Sequence, residues 1–109
     1  MTQQERIEKM RAMLYASRKR QPTIIEMAIQ TYGAENQVNI AIEEMSELTK
    51  ELCKAKRGYA NKRNIAEEMA DVLIMLEQIK LIFGIKQRDI DEWAKVKLQR
   101  LENNIERDG

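Results

Sequence analysis

Two acidic groups in the sequence each place carboxylates one helical turn apart. The first lies in "IAIEEMSELTKEL", residues 40–52, and contains Glu43, Glu44 and Glu47. The second lies in "EEMADVL", residues 67–73, and contains Glu68 and Asp71. Residues three apart share one face of an α-helix, so each group offers two carboxylates to the same neighbour. Like charges at this spacing cost a helix about 0.2–0.5 kcal/mol per pair, so the pattern needs a compensating interaction.

Cationic side chains are scarce beside these acids. Among Glu44, Glu47, Glu68 and Asp71, only Glu47 has a basic residue three or four positions away, although the chain has 19 Lys and Arg. Burying unpaired carboxylates costs several kcal/mol at least, so converging helices would need a bound cation.

The absence of histidine narrows the chemistry. It excludes histidine triads, most zinc enzymes and the Glu-x-x-His di-iron sites of helical bundles. Oxygen ligands alone select a hard cation, with Mg²⁺ as the first choice and Mn²⁺ as the second. Carboxylate-bound Mg²⁺ keeps positions for phosphate oxygens, which points to phosphoanhydride chemistry.

The two motifs together resemble those of a known enzyme family. "EEMSE", residues 43–47, is followed after 20 intervening residues by "EMAD", residues 68–71. This arrangement is similar to the E-x-x-E…E-x-x-D signature of the MazG-like all-α nucleoside triphosphate pyrophosphohydrolases. The similarity extends through "NQVNIAIEEMSEL" and "EEMADVLIMLEQI", and more loosely to residue 109. Residues 34–109 are therefore expected to form a MazG-like core, whereas residues 1–20 carry no part of the similarity.

The resemblance implies an Mg²⁺-dependent enzyme that cleaves an NTP or dNTP to the monophosphate and pyrophosphate. It implies four metal ligands, Glu44, Glu47, Glu68 and Asp71. A bound metal would neutralise phosphate charge and lower the pKa of an attacking water. A spare carboxylate, Glu43 or one of the four, would accept the proton of that water. In this family subunits pack into dimers or tetramers to complete the active site, so the expected partners are the nucleotide and further copies of the chain.

Binding a triphosphate also requires cations. Similar proteins use a Lys and an Arg on their final helix, and "KLQR" supplies Lys97 and Arg100 as counterparts. Lys54, near the loop "KRGYANKRN", is a further candidate. Gln37 lies two turns before Glu44 on the same helix face and is predicted to meet a base or ribose. The alternative interpretation is that all four are ordinary surface side chains that face water.

Punctuating residues divide the chain into helix-sized segments. Four polar residues precede a Glu by three positions, as in capping boxes: Thr2, Thr23, Asn64 and Asp89. Glycines at 33, 58 and 84 stand where helix C-caps are expected. We predict helices near 3–19, 24–32, 35–57, 65–83 and 88–106, hence one all-α domain over 1–109 built as an antiparallel helical bundle.

Apolar spacing predicts which helix faces are buried. Val72 to Leu76 is apolar all round, so the fourth helix is expected to be central, with Asp71 partly drawn into the interior. Trp93 lies at stripe spacing on the last helix and is predicted to be core. Cys53 is interpreted as a small buried hydrophobe.

Composition constrains partners and location. The net charge of +1 argues against a nucleic-acid partner. The longest apolar run is too short for a membrane span, the N-terminal segment has no secretory pattern, and a single cysteine suits a reducing compartment, so a cytoplasmic protein is expected. A 109-residue domain buries only about two-thirds of its unfolded surface, which favours an oligomer.

Two other functions compete with the enzyme. The first is a non-enzymatic helical module whose acidic face recruits a basic partner. The second is a helix-turn-helix DNA-binding protein built on residues 23–44, although the near-neutral charge and the acidic second helix count against it.

Overall fold

The computed structural model describes residues 2–15 and 21–109, with side chains for 2–10 and 21–109. In these described ranges five α-helices follow one another: α1 (Gln3–Tyr15), α2 (Ile24–Tyr32), α3 (Ala34–Lys56), α4 (Lys62–Phe83) and α5 (Gln87–Asp108). The all-α class is confirmed. The predicted end of the first helix at residues 16–19 lies outside the described residues. Within the part of the chain that is described, no helix is long and apolar enough to cross a membrane.

Capping explains where the first two helices begin. The Oγ1 atoms of Thr2 and Thr23 accept hydrogen bonds at 3.1 Å from the amides of Glu5 and Glu26, as the sequence predicts. Only Gly33 lies between α2 and α3, and its φ of +88° is one that glycine adopts without the steric cost that other residues incur. A helix-turn-helix needs a turn of about three or four residues, so this joint does not fit the DNA-binding alternative.

Two predicted helix caps are wrong, because Asn61 and Lys86 occupy the N-cap positions that were expected for Asn64 and Asp89. α4 begins at Lys62 rather than near residue 65, whereas α5 begins at Gln87, one residue before its predicted start. For α4 the cause is Asn61, whose amide donates 2.8 and 2.7 Å hydrogen bonds to the main-chain oxygen and Oε2 of Glu51. This contact closes the loop early and lets the helix start one turn sooner.

The centre of the fold is the antiparallel hairpin of α3 and α4. On the face of α3 that packs against α4, polar residues recur every seven positions, at Gln37, Glu44 and Glu51. Between the first two, Ala41 is buried on α3, and Met75 is buried on α4. We call this contact line, from Gln37 to Glu51 on α3, the seam. Its seven-residue spacing keeps these side chains facing α4 over four turns.

Burial in a single chain is less than the apolar pattern predicts. Met75 is buried and Val72 is half-buried, but Leu73, Ile74 and Leu76 are exposed, so α4 is not enclosed on several sides. Cys53 is exposed rather than buried, and Trp93 is 60% exposed rather than core. The cause is that α2 and α3 cover only part of α4, while α5 remains exposed along its whole length.

A buried amide pair fixes one end of the seam. Gln37 Nε2 donates to Gln78 Oε1 at 2.6 Å, and each residue is only 4% exposed. Gln37 Oε1 is buried with no hydrogen-bond partner among the described residues.

We predict that Gln37→Leu alone destabilises the fold by about 1–3 kcal/mol, because Gln78 Oε1 loses its donor. The double variant Gln37→Leu/Gln78→Leu should regain most of that loss, as measured by urea unfolding of all three proteins.

The other end of the seam is fixed by ionised Glu51. Glu51 is buried, and the hydrogen bond from Asn61 is the largest influence on the pKa of its carboxylate, which it lowers. Burial acts in the opposite direction, but Lys54 lowers the pKa further, so it stays below its ordinary value. Because the folded-state pKa is lowered, ionised Glu51 stabilises the fold above its unfolded pKa of about 4.3. That contribution is lost as pH falls through the lower folded-state value.

We predict that Glu51→Gln lowers the melting temperature at pH 7 and that the difference from the wild type shrinks as pH falls below about 4.3. Thermal unfolding between pH 7 and pH 3 measures this. Glu102→Gln, an exposed change on α5, is the control and should give no such trend. A difference that stays constant with pH would show that the Glu51 carboxylate is not the stabilising group.

Candidate metal centre

Three carboxylates meet in the middle of the seam. Glu44 comes from α3, and Glu68 and Asp71 come from α4. Each of the three is half-buried and offers a carboxylate oxygen, and these oxygens all lie within 4.8 Å of one another. We call this group the carboxylate cluster. The convergence of the two acidic motifs that the sequence predicts is thus present for three of the four expected ligands.

Glu47, the fourth expected ligand, lies at the edge of the cluster. Its side chain is exposed, and it is not in the group of mutually close oxygens. The physical reason is its angle on α3: it follows Glu44 by about 300°, which moves it off the line facing α4. Its negative charge still acts on both Glu44 and Glu68.

Glu43 does not join the cluster either. It is exposed and lies about 100° around α3 from Glu44, on the flank of the helix rather than on the line that faces α4. The structure therefore separates the two adjacent glutamates into one that faces the seam and one that faces solvent. The sequence offered Glu43 or one of the four expected ligands as the carboxylate that accepts the proton of the attacking water. This placement favours Glu47 over Glu43 for that role.

Burial and mutual repulsion raise the pKa of two cluster members. For Glu44, burial is the largest cause, followed by the charges of Asp71 and Glu47, while hydrogen bonding to Glu68 partly opposes the rise. For Glu68, burial again leads, followed by the negative charges around it: Asp71, Glu44, Glu47 and Glu67. Ionising each further carboxylate of the cluster therefore costs free energy, and a bound cation would remove that cost.

The cluster also has unused acceptor capacity. Glu68 Oε2 is buried and has no hydrogen-bond partner, and no Lys or Arg of the described side chains forms an ion pair with the three acids. Oxygens on opposite sides of Mg²⁺ lie about 4.2 Å apart, given ligand distances near 2.1 Å. The observed limit of 4.8 Å is close enough for small side-chain rotations to meet that geometry. The donor set and its spacing fit a hard divalent cation.

The predicted phosphate-binding cations are not at the cluster in one chain. Lys54 Nζ pairs with Glu51 Oε1 at 3.3 Å, and its backbone is about 15 Å along α3 from Glu44. Lys97 and Arg100 lie on α5, which does not pack along α3 or α4. The structure thus leaves the two α5 residues without access to the cluster of their own chain.

Gln37 has a structural partner where the sequence suggests a ligand. It lies two turns from Glu44 as predicted, but it is buried and hydrogen-bonded to Gln78 rather than open to a base or ribose. Sequence reasoning missed Gln78, Asn61 and the supporting role of Glu51. The seven-residue recurrence of Gln37, Glu44 and Glu51 was the available indication that all three face one seam.

Comparisons with protein-family models, curated proteins and solved structures find no match to this chain. The geometry and chemistry of the carboxylate cluster therefore carry the functional argument. The similarity to the MazG-like enzymes remains a prediction that rests on the two motifs.

We predict that Glu44→Gln raises the melting temperature of the metal-free protein at neutral pH. The folded-state pKa of Glu44 is raised, so its contribution to stability is full below the unfolded pKa and is lost as pH rises through the folded value. Removing the charge should relieve that loss. Glu68→Gln should act in the same direction, and both gains should shrink towards pH 4. Thermal unfolding in a chelator measures them.

The same variants should lose stabilisation by metal. Mg²⁺ at 100 times its dissociation constant stabilises a one-site protein by about 2.7 kcal/mol, so wild-type melting should rise clearly with added Mg²⁺. Glu44→Gln and Glu68→Gln should show little rise, whereas Glu102→Gln should behave as the wild type. If the wild type melts at one temperature in chelator and in millimolar Mg²⁺, the cluster is not a metal site.

Proposed function

We propose that the protein is an Mg²⁺-dependent nucleoside triphosphate pyrophosphohydrolase of the MazG-like type. The observation that carries the proposal is the carboxylate cluster: three half-buried acids within 4.8 Å of one another, without a cationic partner among the described side chains. A general acidic surface would not require burial or convergence. The substrate would be an NTP or dNTP, and the products would be the monophosphate and pyrophosphate.

Glu44, Glu68 and Asp71 would hold the metal, with Mn²⁺ as a possible substitute for Mg²⁺. The bound metal supplies charge neutralisation of phosphate oxygens and a lower pKa for water. Because α3 and α4 each contribute to the cluster, the hairpin holds these ligands in place before substrate arrives. Preorganisation of this kind removes the cost of ordering ligands during binding.

Glu47 is the residue that we assign as general base. It lies beside the cluster, but its carboxylate oxygens are not among those that group closely together. Its carboxylate therefore remains available to accept a proton. The water oxygen forms a bond to the α-phosphorus while its proton passes to Glu47. The bond from the α-phosphorus to the bridging oxygen breaks, and the electron pair leaves with pyrophosphate.

The phosphates need positive charge in addition to the metal. Lys97 and Arg100 are proposed for this role, and they can reach a cluster only from the α5 of another subunit or after α5 moves. The proposal therefore includes self-association into a homodimer or homotetramer, as the resemblance implies. Lys54 would contribute at most a more distant charge, since it is paired with Glu51.

Isotope labelling tests the reaction itself. We predict that hydrolysis of a panel of NTPs and dNTPs in ¹⁸O-labelled water, with Mg²⁺, places the label in the nucleoside monophosphate. Attack at the α-phosphorus requires that position, whereas attack at the β-phosphorus labels pyrophosphate. Mass spectrometry of both products separates the two. Release of orthophosphate as the primary product would contradict the assigned cleavage.

Variants assign the roles within that reaction. Asp71→Asn should lower kcat by more than about 100-fold, since even residues that only support metal ligands cost about 10–100-fold. Glu47→Gln should lower kcat by about 100- to 10,000-fold while leaving stabilisation by Mg²⁺ largely intact. A comparable loss in Glu43→Gln would instead assign the base to Glu43.

A wild-type protein that binds a basic partner but hydrolyses no nucleotide would support the interaction-module alternative.

A further inference from the structure

We propose that the end of the α3–α4 hairpin binds single-stranded nucleic acid through a basic surface that carries an exposed tyrosine. This surface is formed by residues 56–63, "KRGYANKR", which join the two helices and contain four cations and no acid. We call the surface the basic tip, and its side chains are Lys56, Arg57, Tyr59, Lys62 and Arg63. The net charge of +1 averages the basic tip with acids elsewhere, so it weighs against a chain that is basic overall but not against one basic surface.

The cations of the basic tip are available to a partner. All four are exposed, and none of them forms an ion pair with a described side chain. Lys54, the preceding cation on α3, is by contrast paired with Glu51 at 3.3 Å. A nucleic acid that contacts unpaired cations releases its bound counterions, which favours binding whatever the nucleotide sequence. The basic tip therefore offers up to four phosphate contacts.

Backbone hydrogen bonds hold the basic tip in one conformation. Gly58, at φ +94°, ends α3 in a Schellman motif, and its amide donates to the carbonyl oxygen of Ala55 at 3.0 Å. The amide of Tyr59 donates to the carbonyl oxygen of Lys54 at 3.2 Å. The side-chain amide of Asn61 joins the other side of the basic tip to α3 through the two hydrogen bonds described above. Because the backbone is fixed before a partner arrives, little ordering cost opposes binding.

Tyr59 gives the basic tip a feature that a purely electrostatic surface lacks. It is 62% exposed, although the residue at this position of a Schellman motif commonly packs back onto the helix. The guanidinium of Arg57 lies over the tyrosine ring, 5.8 Å from its centroid. Unpaired bases stack on aromatic rings and on guanidinium groups, with little dependence on base identity. A single strand would use both the ring and the charges, whereas an acidic peptide would use the charges alone.

The start of α4 holds positive charge where a helix does not favour it. Lys62 and Arg63 begin α4, and the N-terminus of a helix carries partial positive charge, so acids rather than cations are stabilising there. The first turn of α4 contains no acid, and Asn61 makes no side-chain capping hydrogen bond to it. A phosphate group at the basic tip would offset this local excess of positive charge.

The basic tip is separate from the carboxylate cluster. Lys56 follows Glu44 by twelve residues on α3, which places it about 18 Å further along the helix axis. Lys62 and Arg63 are turned by about 120° and 140° around α4 from Glu68. They therefore lie off the face that supplies the cluster, and a single strand bound at the basic tip need not displace a nucleotide from the cluster.

Fluorescence anisotropy of labelled oligonucleotides tests binding to the full chain. The probes are a thymidine and a uridine oligomer, each about 15 nucleotides long, in a chelator and without added nucleotide. Four phosphate contacts predict a slope of about −2.8 for log affinity against log salt, which is a loss of about 50-fold between about 50 and 200 mM salt. Binding of either oligomer supports the proposal, and the tighter one identifies the preferred sugar.

A charge variant locates that binding at the basic tip. Lys62→Gln/Arg63→Gln removes two phosphate contacts, so it should lower affinity at least about 10-fold at about 50 mM salt and reduce the slope to about −1.4. Arg88→Gln/Lys95→Gln is the matched control, because it removes two exposed cations from α5 and changes the net charge equally. It should bind the oligomers as the wild type does.

A tyrosine variant separates nucleic acid from other polyanions. Tyr59→Ala should lower affinity about 5- to 150-fold with an unchanged salt slope, whereas Tyr59→Phe should bind as the wild type, because stacking needs the ring alone. The proposal is wrong if neither oligomer binds at about 50 mM salt, if Tyr59→Ala binds as the wild type, or if polyglutamate of similar length competes equally well. The last result would assign the basic tip to an acidic protein partner. These measurements exclude metal and nucleotide, so their outcome is independent of the proposed hydrolysis.

Discussion

The antiparallel register of α3 against α4 determines which side chains meet along the seam. Glu44 meets Asp71 only because the two helices are paired at one offset, and a shift of one turn would separate them by about 5 Å along the seam. The buried amide pair fixes the offset on one side of the cluster. Asn61 fixes it on the other side through two hydrogen bonds to Glu51. The acids are therefore held between two polar contacts, each about two turns away.

This arrangement sets stability against ligand affinity. Burial and repulsion raise the pKa of Glu44 and Glu68, so the hairpin maintains a cluster that disfavours its own ionised form. The packing of Ala41 and Met75 and the two polar contacts keep the helices together despite this cost. A cation would gain from the same geometry, because the oxygens are already gathered before it binds. Local destabilisation of this kind is commonly found at functional sites.

The sequence predicted most of the helices because their ends depend on local chemistry. Thr23 and Glu26 are neighbours on one turn, so their cap was recognisable without any tertiary information. The start of α4 was not, because Asn61 is held by Glu51, ten residues earlier in the chain. The motifs predicted converging carboxylates, but helical angle separated Glu44 from Glu43 and Glu47 more sharply than spacing alone suggested. Periodicity showed that α5 has an apolar face, but it carries no information on whether the same chain covers that face.

Gly33 has a consequence for motion that follows from its position. It is the sole residue between α2 and α3, and no described part of the chain lies within 4 Å of where a Cβ atom on Gly33 would be. α2 packs against both α3 and α4, while α3 carries Glu44, one of the three acids of the carboxylate cluster. Rotation about the two backbone torsions of Gly33 would therefore shift α2 against the hairpin while the seam stays closed. Because α2 also packs directly against α3 and α4, a ligand that shifts α2 would act on the hairpin through those contacts as well as through Gly33.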